Sequence, residues 1–467
     1  MASSKLAWPH DIASPRVAGL AILGLYSLVT AIRRLKRASS PGQEVPYAAG
    51  WVPILGHLLV VRKYFKENQK ILMGRWGMEV QQEQNLDIFR AEMMGLEMVI
   101  VNDPDLAEEV CNGDPHRFTK DFRSIPAGDV IKKVFGNGLF FANTDDPKWQ
   151  TAHNILKTPF STKGMKAMMP MMCNQADLLV AALKRHVGYG NATYIDSWVT
   201  KMAFETVAVC GLGTPLGCFE SEETHPYVAA LNGVLEQRAL FFCPRVLQPL
   251  LLPGRLAQLN ADCDYMRQTC IDIIRQRREQ GDPGDDHRRD LLDMMLYDKD
   301  KKTGLGMTED MIVDNVLTFL FAGQDSTAAA MASCLCFLCA YPEKKAKLLK
   351  EIDEVVGDGQ FEWEHLSKMH YLDWCIKETM RLVPPAVGFM RQARGEQLLG
   401  QQWRVSGMPI VVNAWACTTA RSFGARTSTS SAQSAGNMAS PTGSRSSPSP
   451  WARARASAGS SLWLSRR

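Results

Sequence analysis

Residues 308–341, TEDMIVDNVLTFLFAGQDSTAAAMASCLCFLCAY, are the stretch that best indicates the fold. Thr308 can serve as a helix N-cap, Glu309 and Asp310 suit the first turn, and Pro342 ends the helix. The residues between them are apolar on nearly every face, which is typical of a helix that crosses the middle of a large domain. The sequence therefore predicts one buried helix of about thirty residues.

The centre of this predicted helix carries the group AGQDST, residues 322–327. Gly323 is a poor helix former, and Asp325 is costly to bury without a partner. Ser326 and Thr327 add hydroxyl groups beside that carboxyl group. We expect a local break in a buried helix, where an acid and a hydroxyl deliver protons to a bound molecule. A purely structural kink is the alternative, because kinks also use Gly with Ser or Thr.

The rest of the chain predicts a fold that is mainly α with a minor β part, in a single large domain. LEMVIVNDPDLAEEV, residues 96–110, predicts a strand, a turn and a helix. WRVSGMPIVVNAW, residues 403–415, predicts two strands around a turn at Gly407–Pro409. Two polar stretches, residues 278–290 and 297–306, look like surface linkers.

Charge and cysteine content argue against a nucleic-acid-binding protein, a cysteine metal site and a disulfide-rich protein. A net charge of +4 at pH 7 over 467 residues is too small to indicate a nucleic-acid partner. The twelve cysteines are scattered. Cys334, Cys336 and Cys339 follow helical spacing, which favours buried thiols over metal ligands. We expect no metal site built by these residues and no disulfide framework, and thus a reducing compartment.

Residues 1–40 contain a predicted membrane anchor. Residues 17–32 are uncharged, and Arg33, Arg34, Lys36 and Arg37 follow at once. The positive-inside rule then places the rest of the chain in the cytosol, on a single-pass helix in the endoplasmic reticulum membrane. A cleaved signal peptide fits less well, because no small-residue cleavage site follows. A buried or peripheral helix stays an alternative.

Three prolines follow the anchor and are expected to make a stiff connector. Pro41, Pro46 and Pro53 prevent a helix and favour an extended chain that holds the domain just off the membrane. With the domain in the cytosol, the sequon at Asn191 would carry no glycan.

Three further motifs accompany the central helix. WQTAHN places Trp149 and His153 one helical turn apart, and KETMRL places Glu378 and Arg381 as a helical ion pair. VPPAVGFMRQA, residues 383–393, supplies Arg391. With AGQDST, these motifs resemble the cytochrome P-450 superfamily of haem-thiolate monooxygenases over roughly residues 45–416.

The resemblance implies the cytochrome P-450 fold, with a haem cofactor and named site residues. Trp149, His153 and Arg391 would bind the haem propionates, and the pair Glu378 and Arg381 would brace the haem-binding core.

The same resemblance makes the residues of AGQDST catalytic. Asp325 and Ser326 would relay protons to bound dioxygen, with Thr327 beside them. Ser326 stands where the family usually has Thr, so the methyl group that fixes the rotamer is lost and proton delivery becomes looser.

Within the superfamily, the segments around Phe140 and Ala322 resemble the fatty-acid hydroxylase branch, whose bacterial and fungal members carry a fused reductase. Phe140 would overhang the haem and limit the approach of substrate, although an ordinary core aromatic is an equal alternative. The resemblance implies insertion of one oxygen atom into a fatty acid or another lipophilic molecule, such as a secondary metabolite. We expect the NADPH-dependent reductase to be a separate protein.

The C-terminal residues 417–467 depart from the family. The family's haem-ligand motif, Phe-x-x-Gly-x-Arg-x-Cys-x-Gly, does not occur, and no cysteine follows Cys417. A frame change explains this. Suppose that each true codon takes the last base of one codon in the present frame and the first two bases of the next. Trp is always TGG and Ala begins with GC, so Trp451 followed by Ala452 gives the codon GGC, which encodes glycine at position 452. The same offset permits cysteine at 456 and the rest of the motif.

These observations divide the chain into an anchor (1–40), a cytochrome P-450-like domain that lacks its C-terminal part (41–416) and a disordered out-of-frame tail (417–467). Haem binding by the chain is doubtful on this basis, and we expect it to be inactive. The alternative is a non-catalytic, membrane-anchored helical protein that keeps the scaffold as a binding module.

Overall fold

The computed structural model describes residues 42–53, 55–66, 72–93, 96–114, 116–120, 128–185, 194–237, 248–284 and 289–419. Their helices are α1 (Leu58–Lys66), α2 (Leu72–Gln84), α3 (Pro104–Asn112), α4 (Gly128–Phe135), α5 (Pro147–Leu156), α6 (Thr162–Lys184), α7 (Ile195–Leu212), α8 (Pro226–Glu236), α9 (Gln248–Leu251), α10 (Pro253–Gln280), α11 (Leu291–Tyr297), α12 (Glu309–Ala340), α13 (Pro342–Val355), α14 (Trp363–Leu366), α15 (His370–Leu382) and α16 (Ala414–Thr419). The strands are β1 (Gln43–Glu44), β2 (Ile88–Met93), β3 (Leu96–Val101), β4 (Phe118–Thr119), β5 (Phe389–Ala393), β6 (Glu396–Leu399), β7 (Trp403–Ser406) and β8 (Pro409–Val412). The prediction of a mainly helical fold with a minor sheet part is confirmed.

The central helix α12 has the predicted ends but not the predicted break. Thr308 is its N-cap, without a side-chain capping bond, and the helix ends before Pro342. It is α-helical without interruption through Gly323, so the expected break is wrong. Gly323 is instead a packing position, because a Cβ atom there would lie 2.8 Å from Cγ2 of Val207 on α7. The contact between two helices, and not local propensity, explains this glycine.

The strands form two small sheets with orders β1-β7-β6 and β2-β3-β8-β5-β4. The two strands predicted around Gly407 are present, but β7 and β8 belong to different sheets, so the turn at Gly407 joins the sheets. The predicted strand, turn and helix of residues 96–110 are also present as β3 and α3, with Asp103 as the N-cap.

The proline segment that follows the predicted anchor is part of the domain from residue 43 onward. β1 pairs with β7, Tyr47 bridges to Arg90, and Val45 and Ala48 are each 2% exposed. The described part of this segment is therefore packed and not a free spacer, which corrects the expectation of a connector. The predicted anchor itself, residues 17–32, lies outside the described residues. Within the described ranges, no helix is long and apolar enough to span a membrane.

The main core is helical and surrounds the first half of α12. It includes Leu156 of α5, Phe204 of α7, Leu231 of α8 and Met266 of α10, each almost fully buried. Cys334 and Cys336 are partly buried, but Cys339 is exposed, so the prediction of three buried thiols is wrong for Cys339.

A buried ion-pair network joins three helices beside this core. Arg277 of α10 donates from Nη1 to Asp290 Oδ2 at 2.8 Å and to Asp293 Oδ1 at 2.7 Å. Its Nη2 donates to the carbonyl oxygen of Leu212, the last residue of α7. The side chain of Arg277 is only 11% exposed, so all three acceptors depend on one desolvated guanidinium group.

Replacing Arg277 by methionine is expected to lower the free energy of unfolding by about 3–5 kcal/mol, because two carboxylates lose their partner in a buried place. The matched control is Arg278→Met, since Arg278 is 49% exposed and pairs with the exposed Glu309. That control should lose less than about 1 kcal/mol. Urea unfolding measures both, and equal losses would show that the network does not stabilise the fold.

Candidate functional site

The loop between α4 and α5 is hydrogen-bonded to α12 and carries Leu139 and Phe140. The backbone N–H of Asn137 donates to Asp314 Oδ2 at 2.8 Å, and that of Leu139 donates to Asn315 Oδ1 at 3.0 Å. Gly138 lies so close to α12 that a Cβ atom would be 2.0 Å from Oγ1 of Thr318. The glycines of Gly136-Asn137-Gly138 therefore let the backbone of the loop pack directly against α12.

The carbonyl oxygen of Leu139 in this loop accepts hydrogen bonds from an aromatic residue and from a cationic residue. It accepts the indole N–H of Trp149 at 2.9 Å and the ammonium group of Lys120 at 2.8 Å. The ring of Trp149 stacks on that of His153, with centroids 4.7 Å apart, as the spacing of one helical turn predicts. Lys120 Nζ lies 5.1 Å from the centroid of the Trp149 ring, a cation–π contact.

Arg391 lies beside Lys120 because of strand register. β4 pairs with β5, with Thr119 opposite Gln392, so the residue after Thr119 comes next to Arg391. Burial, and then the charge of Arg391, lower the pKa of Lys120 to about 8. Burial also lowers the pKa of Arg391, whose Nη1 donates to the carbonyl oxygen of Met390 at 3.0 Å.

Lys120, Arg391, Trp149 and His153 form what we call the cationic cluster. Neither Lys120 nor Arg391 has a carboxylate partner among the described residues. Two desolvated cations side by side cost free energy unless an anion neutralises them. The cluster thus fits a group with two carboxylates, such as the propionates of haem, at the positions predicted for Trp149, His153 and Arg391.

Four residues of AGQDST lie on an open face of α12, whereas Gln324 is buried. Ala322, Asp325, Ser326 and Thr327 are all exposed, so the expectation of a buried acid is wrong. Continuous burial is limited to residues 311–318, and beyond them only scattered positions such as Gln324, Ala328 and Ala332 are buried. Ser326 Oγ donates to the carbonyl oxygen of Ala322 at 2.7 Å, a bond within the helix. A carboxyl group and a hydroxyl group thus stand where a ligand can contact α12.

Phe140 lies on the loop that is fastened to α12. Its side chain is 55% exposed, so it is not an ordinary core aromatic. The core aromatic is its neighbour Phe141, which stacks on Phe135 at 4.6 Å and meets Phe140 edge to face at 4.9 Å. Phe160, which is also 55% exposed, stacks on Phe319 of α12. Exposed aromatic surface therefore borders this part of α12.

Glu378 and Arg381 form the predicted pair on α15. Arg381 donates from Nε and Nη2 to the two carboxylate oxygens of Glu378, each at 2.7 Å. Thr418 on α16 donates its hydroxyl to the carbonyl oxygen of Arg381 at 2.9 Å, and Arg381 Nη1 lies 3.4 Å from the carbonyl oxygen of Thr418. The pair consequently ties α15 to the last described helix.

Cys417 lies in α16, so the predicted boundary of the aberrant tail falls inside a helix, and residues 420–467 lie outside the described part. The thiol is buried among residues of the five-stranded sheet, with Sγ 4.0 Å from the carbonyl oxygen of Val101. Burial raises its pKa to about 12, so the thiolate form is scarce at neutral pH. The residues present fit the propionate end of haem, but Cys417 does not fit the thiolate ligand of its iron.

Sequence reasoning did not find Lys120, nor Asn315, which holds the loop. The signal for Lys120 was available in part, since FTK follows the pattern of a short strand that ends in a cation. The pairing that brings this strand to Arg391 is separated by more than 270 residues and leaves no local trace.

Comparison with known proteins agrees with this geometry. A family model described as Cytochrome P450 matches residues 46–421. The self-sufficient cytochrome P450 monooxygenase CYP505E3 of Phanerodontia chrysosporium is 31% identical over 344 residues, 72% of this chain and 30% of the relative. The bifunctional cytochrome P450/NADPH--P450 reductase 2 of Bacillus subtilis (strain 168) is 30% identical over 342 residues, 70% of this chain and 31% of the relative.

Solved structures share the fold. The haem domain of cytochrome P450DA superposes with a TM-score of 0.69 at 23% identity, over 82% of this chain and 80% of that one. The chain spans about 30% of the length of the curated relatives, whose names agree with the predicted likeness to a branch with a fused reductase. Because the family model covers residues 46–421 of 467, the chain belongs to the cytochrome P450 family.

Proposed function

We propose that this scaffold serves a haem-dependent monooxygenase, which inserts one oxygen atom from O2 into a lipophilic substrate. The observation that carries the proposal is the cationic cluster, because Lys120 and Arg391 are two desolvated cations side by side, which a group with two carboxylates would neutralise. The open face of α12 supports it, because Asp325 and Ser326 present a carboxyl and a hydroxyl group to a ligand there.

The chain's own residues would have distinct tasks. Lys120 and Arg391 would neutralise the propionates, and Trp149 would keep Lys120 in place through the shared carbonyl oxygen of Leu139. Ser326 would have to release its bond to Ala322 before its hydroxyl could pass on a proton from the side of Asp325. Haem, when bound through a thiolate, supplies the activation of dioxygen.

The second candidate function is a non-catalytic binding module, and the position of Cys417 favours it. Its thiol is buried against the sheet and is protonated at neutral pH. A chain of this kind would keep the helical scaffold and the open face of α12 without the reaction. Haem content of the purified chain distinguishes the two candidates.

The substrate class proposed is a long-chain fatty acid, with a secondary metabolite as the runner-up. Phe140 and Phe160 are exposed, and Phe160 stacks on Phe319 of α12, so they offer apolar surface that suits an alkyl chain. A chain with a restored haem loop is expected to show a shift of the ferric haem spectrum when a fatty acid of about 14–18 carbons is added. The reason is that the apolar chain of the fatty acid displaces water from the site. Methyl esters serve as controls for the carboxylate, and a spectrum that no fatty acid changes would contradict the proposal.

We also propose an NADPH-dependent reductase as electron donor and a location at the endoplasmic reticulum membrane. The donor as a separate protein stays a prediction. The anchor at residues 17–32 is also a prediction, supported by the four cations that follow the apolar run. Accessibility of the domain to protease in sealed microsomes measures this topology, and a glycan on Asn191 would contradict it.

A further inference from the structure

A cavity of about 180 Å³ lies away from the residues discussed so far, between the first half of α7 and the loop that leads to α8. Its lining includes Thr200, Lys201, Cys218, Thr224 and His225. None of these belongs to the cationic cluster or to the open face of α12. The volume corresponds to about six water molecules, so a small polyatomic ligand fits with part of its hydration.

Lys201 brings a buried positive charge to this cavity. The residue is 5% exposed, yet it forms no ion pair with a carboxylate among the described residues. Its ammonium group donates to the carbonyl oxygen of Ser221 and lies 4.9 Å from the ring centroid of Trp198. An ammonium group has three N–H donors, so a single carbonyl leaves donor capacity toward the cavity. Burial lowers the pKa of Lys201, which an anion in the cavity would reverse.

His225 adds a second donor to the lining. As the N-cap of α8, it accepts the backbone N–H of Tyr227 at Nδ1, at 3.2 Å. The neutral ring must then carry its proton on Nε2. Burial lowers the pKa of His225, which favours that neutral form. Thr200 and Thr224, which each carry a hydroxyl group, also belong to the lining.

The loop around the cavity is held rigidly from its other side. Glu205 is 4% exposed, and its carboxylate accepts the backbone N–H groups of Leu216 at 2.9 Å and Cys218 at 3.0 Å. This carboxylate does not line the cavity. Its charge is stabilised by backbone donors. It acts on His225, where burial lowers the pKa and the charge of Glu205 partly offsets that shift, and not on Lys201.

Nearby acidic groups limit the charge of the ligand. Asp196 lines the cavity from the first turn of α7, and the charge of Glu222 reaches Lys201. A polyphosphate would be repelled by them, whereas a small anion of low charge gains the ammonium group, the imidazole N–H and the hydroxyls. We propose that this cavity binds a small oxyanion, either phosphate or a short carboxylate, with Lys201 as its principal partner.

The test is thermal unfolding of the full chain in phosphate, in malonate and in chloride at equal ionic strength. Phosphate or malonate is expected to raise the midpoint by about 2–5 °C over chloride, because a ligand that binds the native state alone stabilises it. The two arms distinguish inorganic phosphate from a carboxylate. Lys201→Met should abolish the rise, and Lys350→Met, at a lysine side chain that is 76% exposed, should keep it.

A second variant covers the case in which Lys201→Met does not fold. Thr200→Val preserves the charge and the shape but removes a hydroxyl group, so the affinity measured by calorimetry should fall about 3–10-fold. An equal rise in Lys201→Met and in the unchanged protein would overturn the proposal. So would a midpoint that neither phosphate nor malonate moves, because water alone would then fill the cavity.

Discussion

The 467-residue chain is expected to give no carbon-monoxide difference band, the signature after which its family is named, even when haem is supplied during expression. That band requires a thiolate on the iron. Cys417 cannot supply it, because its thiol is buried against the sheet and its pKa is raised to about 12. No cysteine follows it in the sequence.

Shifting the frame near codon 417, so that position 456 encodes cysteine, is expected to restore the band. The matched control is the same restored chain with serine at position 456, which keeps every other restored residue and removes only the sulfur. Reduced spectra with carbon monoxide measure all three proteins. A band from the unrepaired chain would mean that Cys417 or another thiol binds the iron, and our account of residues 417–467 would then be wrong.

In the restored chain, Lys120→Met and Arg391→Met are each expected to weaken haem retention by about 10–100-fold. Each substitution removes a charge-assisted hydrogen bond to a propionate in a desolvated place, worth about 1.5–3 kcal/mol. Transfer of haem to an excess of apomyoglobin measures retention. Arg394→Met is the matched control, because Arg394 lies just beyond the same strand but pairs with Asp145 at the surface.

The double variant with both cations replaced separates a shared role from two independent ones. If Lys120 and Arg391 bind one dianionic group together, the two losses should not add, since each cation also raises the cost of the other. Haem retention in Lys120→Met equal to that of Arg394→Met would show that Lys120 plays no part in binding.

Local signals in the sequence were enough for much of the fold. Asp103 caps α3, Thr308 begins α12, and Pro342 ends it, as short-range rules predict. The stacking of Trp149 on His153 likewise follows from spacing along one helix. These features depend on residues within one or two helical turns of each other, so they can be predicted from a single sequence.

The features that sequence reasoning missed depend on distant parts of the chain. Lys120 comes beside Arg391 through the pairing of β4 with β5, which no local pattern encodes. Exposure of Asp325 depends on what covers α12, and the apolar pattern around it predicted burial instead. The two strands beside Gly407 were found, but their separation into two sheets requires the partners β6 and β3.

Gly323 has a consequence for how related sequences change during evolution. Its small size is required by the approach of Val207, 2.8 Å from where a Cβ atom would stand. A descendant that had given up catalysis would still be selected to keep this glycine. Ser326 and Thr327 would meanwhile be free to change to other residues, since their exposed hydroxyl groups are not part of the packing. Among relatives, glycine kept without those hydroxyls would mark lineages that retained the scaffold and abandoned the reaction.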